Sequence, residues 1–122
     1  MENQEYDFYF YACRDEKYAK EVLSRCEVYD KDFAKNKGVK YILLEEGSYM
    51  GWHIQGISAS FYSLQNAKIA RDFANLGSDD SSGNFGEPLR FHYFLVAVKN
   101  GETKGEILDK TFGEYDTRGR KK

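Results

Sequence analysis

The sequence predicts an α+β domain, an antiparallel sheet of about five strands with two helices on one face. Three observations lead there. Segments rich in aromatic and β-branched residues alternate with two stretches whose apolar residues recur at helical spacing. Their order is strand, helix, strand, strand, helix, strand, followed by a short appendage. The chain has 122 residues, 41% of them hydrophobic, which suits one domain with a core of its own and no structural metal or disulfide. A single domain over residues 1–122 is expected, with a basic tail at 117–122.

The segment Glu5 to Cys13, EYDFYFYAC, is aromatic and strand-like. Strand alternation sets Phe8 and Phe10 on one face and Tyr9 and Tyr11 on the other, one pair in the core and one on an open sheet face. From Asp15 the period changes: Tyr18, Ala19, Val22, Leu23 and Cys26 mark a helix capped by Asp15 or a neighbour. The charged stretch Tyr29 to Gly38 reads as a helix end and a loop. Val39 to Glu46 and Trp52 to Tyr62 form a hairpin, expected at the centre of the sheet. Ser63 caps a second helix with Leu64, Ala67, Ala70, Phe73 and Ala74 on one side and Gly77 at its end. The loop signal DDSSGNFGEP, Asp79 to Pro88, contains the only proline. Arg90 to Val98 is a strand, Asn100-Gly101 a turn, and Glu106 to Thr111 a strand or short helix. The simplest architecture is of the split βαβ or ferredoxin-like type, with the sheet face away from the helices left open.

Charge and cysteine usage narrow the setting. The formal net charge of −2 gives no general attraction for nucleic acid, so polyanion binding has to be local. Cys13 and Cys26 lack metal-site spacing and are too few for a disulfide framework, which points to a reduced intracellular setting, cytoplasmic or nuclear. No apolar run is long enough to span a membrane, and the charged N-terminus does not read as a signal peptide.

The run Tyr41 to Phe61, YILLEEGSYMGWHIQGISASF, carries the most chemistry. It reads as a strand ending on Glu45-Glu46, a glycine-bounded turn, and a returning strand opening with Trp52, His53, Ile54 and Gln55. His53 and Gln55 fall on the same side of that strand, where pairing brings a carboxylate of Glu45 or Glu46 beside them. One carboxylate, one imidazole and one amide oxygen suit magnesium or manganese, and so few protein donors leave positions open for a substrate oxygen. The plainer alternatives are a hydrogen-bonded structural histidine and two solvated glutamates.

These segments resemble the nuclease domain of rolling-circle replication initiators (Rep proteins) of circular single-stranded DNA viruses and plasmids, the HUH endonucleases. FYFYACR, Phe8 to Arg14, stands where that family has its aromatic first motif, and LLEEGSYMGWHIQG is similar to its second. SLQNAKIARDFANLGS, Ser63 to Ser78, resembles the segment that follows in geminivirus-like members, and RFHYFLVAVKNGETKGEILDKTFGEYDTRGR resembles the stretch holding the third motif. The resemblance runs collinearly over nearly the whole chain.

The resemblance implies site-specific, metal-dependent nicking and joining of single-stranded DNA at a replication origin. Glu46, His53 and Gln55 would hold the metal, with Glu45 the alternative carboxylate. Tyr9, Tyr11, Arg14, His92, Lys99, Lys104, Arg118 and Arg120 would contact DNA, and Lys110 would be the lysine of the third motif, Tyr-x-x-Lys. That motif's tyrosine is the nucleophile, and here Ile107 occupies its place. Either the domain binds without nicking, or Tyr115 substitutes, or the segment is not the third motif. Relatives often form oligomers and carry a downstream helicase domain, of which this chain contains no Walker loop. The alternative is a non-catalytic module of Rep-like or ferredoxin-like fold that binds DNA or a protein partner.

Overall fold

The structure, a computed structural model, describes residues 4–8, 16–33, 38–49, 52–80, 90–108, 113–116 and 118–122; the side chains at 16, 48, 49, 52–55, 77–80, 90 and 91 are not among those described. Along the chain come β1 (Glu5–Asp7), α1 (Glu16–Arg25), β2 (Val39–Tyr49), β3 (Trp52–Phe61), α2 (Leu64–Asp80), β4 (Arg90–Lys99) and β5 (Lys104–Ile107). The strands form one five-stranded sheet in the order β1-β5-β4-β2-β3, antiparallel at every pairing. The α+β class, the antiparallel sheet and the two helices are as the sequence predicts. β3, α2 and β4 make a split βαβ unit, because β3 and β4 run the same way with β2 between them.

The placement of the helices differs from the expectation. Ile42, Leu43 and Leu44 of β2 are consecutive and all buried. Successive strand residues point to opposite faces, so β2 has to be covered on both. On one face Ile42 and Leu44 join Phe94, Val96 and Val98 of β4, and α1 closes this core with Ala19 and Leu23. On the other, Leu43 joins Leu95 and Phe61, and α2 closes that core with Ala67 and Ala70. The helices therefore lie on opposite faces, and the open sheet face expected from sequence is covered.

Several boundaries also shift. β1 ends at Asp7, and the backbone at Phe8 is already helical, so the first strand is shorter than the aromatic run Glu5 to Cys13. Phe8 packs in the α1-side core. β2 does not stop at the glutamates but continues through them to Tyr49. β3 is the outermost strand rather than a central one. Tyr18 is 47% exposed, which narrows the buried stripe of α1. Gly77 does not end α2, since one glycine costs a helix only about 1 kcal/mol. The Asn100-Gly101 turn is present, with Glu102 N–H donating to the Lys99 carbonyl at 3.0 Å and Gly101 at φ 84°. Cys26 is a free thiol packed against the α1-side core. No helix among the described residues is long and apolar enough to cross a membrane.

Two carboxylates anchor α2. At its start Ser63 Oγ accepts from Asn66 N–H at 3.3 Å, the expected cap. Asp30 reinforces it from the loop between α1 and β2, accepting from Tyr62 N–H at 2.7 Å, Ser63 N–H at 2.9 Å and the Asn66 amide at 3.1 Å. Two turns later Asp72 accepts from Arg71 Nε at 3.0 Å, Gly113 N–H at 3.0 Å and Tyr115 N–H at 2.8 Å. The C-terminal tail is thereby held on α2 instead of fraying. It folds back through a Tyr115–Lys121 bridge, and Asp116 Oδ1 accepts from the backbone of Arg118 and Arg120. Gly119, at φ 77°, lies over Ile69, where an added Cβ would stand 3.5 Å from Cγ2.

Burial alone would raise the Asp30 and Asp72 carboxyls, but their N–H donors outweigh it, and for Asp72 the Arg71 guanidinium helps; both titrate below the ordinary 3.8. A depressed folded-state value contributes stability that is present above 3.8 and is lost as the pH falls through the folded value. Asp30→Asn and Asp72→Asn should each lose about 1–3 kcal/mol near neutrality in chemical denaturation. Each should also show a shallower fall in stability than the parent below about pH 4. Variant and parent curves that stay parallel into acid would refute the assignment.

Candidate metal and nucleic-acid site

The site is set by the register of β2 against its two neighbours. Between Leu43 and Leu44 the β2–β3 register shifts: Leu43 faces Ala59 while Leu44 faces Ile57, and Ser58 is the extra residue of a bulge. Beyond it Glu45 faces Gly56, Glu46 faces Gln55 and Ser48 faces His53. On the other side of β2, Glu46 faces His92 and Glu45 faces Tyr93. Gln55, Glu46 and His92 thus occupy one cross-strand row, and His53 stands two residues further along β3.

Alternation assigns the two glutamates to different faces. Glu46 continues the side of Ile42 and Leu44, the α1 side, just past the end of the core. His92 lies on the same side through its spacing from Phe94, with the two rings tilted at 38° and 5.7 Å apart. Glu45 projects to the α2 side, where the Tyr93 hydroxyl donates to its carboxylate. Burial first, and then the adjacent Glu45 charge and hydrogen bond, push the Tyr93 phenol above its ordinary 10.0. Of the two alternatives for the carboxylate ligand, Glu46 shares the row of Gln55, and Glu45 is engaged by Tyr93. Among the described residues no group of three His, Cys, Asp or Glu is placed to hold a metal ion. The side chains of His53 and Gln55 are not among those residues, so their backbone position alone locates them.

The remaining predicted residues do not gather at this row. Ile107 faces Val96 in β5, packs against the α1-side core, and donates its N–H to the Gln4 carbonyl at 2.7 Å. Val96 is four residues from His92 along β4, about 14 Å at 3.4 Å per residue, and β5 lies one strand further out. Tyr115 is tied by its N–H to Asp72 of α2, across the sheet from Glu46. Lys99 ends β4, exposed, and Lys104 of β5 pairs loosely with Glu5 at 3.7 Å. Arg118 and Arg120 lie in the folded tail, with Arg120 Nε 3.6 Å from Asp116. Tyr9, Tyr11, Arg14 and Lys110 lie outside the described residues.

Sequence reasoning passed over the Glu45–Tyr93 pair and gave His92 a DNA contact rather than a place in the row of Glu46 and Gln55. The alternation in FHYF separates His92 from Tyr93 by face, but only the bulged register shows which glutamate each one meets. Asp72 was likewise missed, because its backbone partners Gly113 and Tyr115 lie 41 and 43 residues further along the chain. Compared with known proteins, the chain matches no family model, no curated protein and no solved structure.

The Glu45–Tyr93 contact predicts a phenol that ionises above its ordinary 10.0. In an ultraviolet phenolate titration, Tyr93→Phe should delete a late transition and Glu45→Gln should move it to lower pH. An unchanged profile in Glu45→Gln would show that the carboxylate does not act on Tyr93.

Proposed function

We propose that this chain binds single-stranded DNA through a divalent cation at the Glu46 row, as a Rep-like domain that holds its strand without nicking through residue 107. The observation that carries the reading is the register that lines up Gln55, Glu46 and His92 across three adjacent strands. A carboxylate, an amide and imidazole nitrogen from His92 or His53 are oxygen and nitrogen donors suited to magnesium or manganese. When bound, such an ion supplies positive charge to a nonbridging phosphate oxygen.

The chain's own residues divide the remaining work. Glu46 sits where β2 leaves the core, half-buried on the α1 side. His92 is exposed beside it on a strand whose next inward residues, Phe94 and Val96, are packed in the core and keep that strand rigid. Nicking at residue 107 is disfavoured by both chemistry and position. Isoleucine has no nucleophilic atom, and Ile107 packs against the core about four residues down the sheet from the Glu46 row.

A second reading, a protein-binding module, is favoured by a different feature. A groove of ≈520 Å3 between β3 and α2 is lined by Leu43, Ala59, Phe61, Ile69 and Phe73, and Phe73 is 59% exposed.

Isothermal titration with manganese should give one site in the parent chain, weakened by at least about tenfold in Glu46→Gln and in His53→Ala. Manganese should in turn tighten binding of a single-stranded oligonucleotide. Neither the parent nor Ile107→Tyr should form a covalent DNA adduct by intact mass. An adduct in Ile107→Tyr would restore the full nicking reading, and a parent that binds neither manganese nor DNA would leave the protein-binding one.

A further inference from the structure

A second groove, of ≈550 Å3, opens on the α1 side at the opposite end of β2 from Glu46. Lys17 and Lys20 reach it from α1, Lys40 from the start of β2 and Lys99 from the end of β4. Glu21 and Glu102 also border it, so among the described residues lysines outnumber carboxylates two to one in a chain whose net charge is −2. Lys17 and Lys20 are three residues apart on a helix and so lie on one side of it. Lys40 is held at the base of the groove, its Nζ donating to the Leu23 carbonyl at 3.1 Å. Leu23 and Val98, both buried, give the groove an apolar floor. Tyr62 stands in its wall.

Cations grouped over a low-dielectric floor concentrate the field at the mouth of a cleft. Ammonium groups on flexible stems bind phosphate oxygens as point charges. We infer that this groove binds a phosphate-bearing ligand, with its anionic oxygens among Lys17, Lys20, Lys40 and Lys99 and a ring or base against Tyr62. The chemistry is shared by the backbone of a nucleic-acid strand and by a free nucleotide. Lys40 is six residues from Glu46 along β2, about 20 Å, so the groove is separate from the Glu46 row and does not depend on a metal there.

The test uses the full chain in EDTA at low salt, with a labelled single-stranded oligonucleotide and ATP as probes. The double variant Lys17→Glu/Lys20→Glu should lose at least about tenfold in affinity. The slope of log affinity against log salt for the oligonucleotide should also fall by about 1.4 for the two lost cations. Lys31→Glu, an exposed lysine outside the groove, is the control and should change neither. Lys17, Lys20 and Lys31 are exposed, so the variants should keep the thermal midpoint of the parent. Oligonucleotide displaced by ATP would identify a nucleotide pocket, and oligonucleotide bound without competition a strand path; either supports the inference. Binding equal in the double variant and the parent, or no binding of either probe, would overturn it. Because no metal is present, that failure leaves the manganese test at Glu46 untouched.

Discussion

Three consecutive apolar side chains in β2, Ile42, Leu43 and Leu44, cannot be dried from one side of a sheet. Burying each is worth about 1.5–3 kcal/mol; an open α1 face would expose Ile42 and Leu44, and an open α2 face would expose Leu43. The rest of the architecture follows from this requirement. α1 covers the face of Ile42 and Leu44, α2 covers the face of Leu43, and β3 and β4 flank β2 to satisfy its backbone. Polar side chains gather where β2 runs on past its buried triplet, at Glu45 and Glu46. That is why Glu45 and Glu46, adjacent in sequence, meet different neighbours on different faces.

The bulge at Ser58 decides which neighbours those are. One residue more or less in β3 would move Gln55 from the row of Glu46 to another. With the bulge, Ile57 falls on the α1 side while Ala59 and Phe61 fall on the α2 side, so a single strand feeds both cores. Packing on both faces therefore fixes the register, and the register assembles the polar row. The basic groove at the other end of β2 has an analogous origin: it lies where α1, β2 and the β4–β5 turn come together around Leu23 and Val98.

Much of this was legible in the residues. The strand at Arg90 to Val98, the helical period at Ala19 and Leu23, the Ser63 cap and the Asn100-Gly101 turn all reappear as the elements they announce. The pairing of an acidic strand with the one carrying His53 and Gln55 was also visible. Less accessible was everything set by long-range packing. The sidedness of the helices was written in Ile42-Leu43-Leu44, an unbroken apolar run characteristic of a strand buried on both faces, but a hairpin ending in glutamates suggested one wet face. The bulge has no local mark, since Ser58 is an ordinary strand residue. The grip of Asp72 on Gly113 and Tyr115, and of Asp30 on the start of α2, pairs short-range polar residues with backbone that no spacing rule connects.

Asn75 has a part in how the sheet ends. β5 pairs with β4 from Val96 to Val98, and among the described residues no strand lies beside β4 on that side below them. At Tyr93 the Asn75 side chain takes the missing strand's place, its Oδ1 accepting from the backbone N–H at 2.8 Å and its Nδ2 donating to the carbonyl at 3.0 Å. At the opposite edge, Val28 bridges Ser60 of β3 and fills a similar role. An unpaired ladder is a template on which another chain can crystallise its own strand. With one amide and one loop residue, this sheet guards against self-templated aggregation at both of those positions, independently of whatever the rows and grooves between them bind.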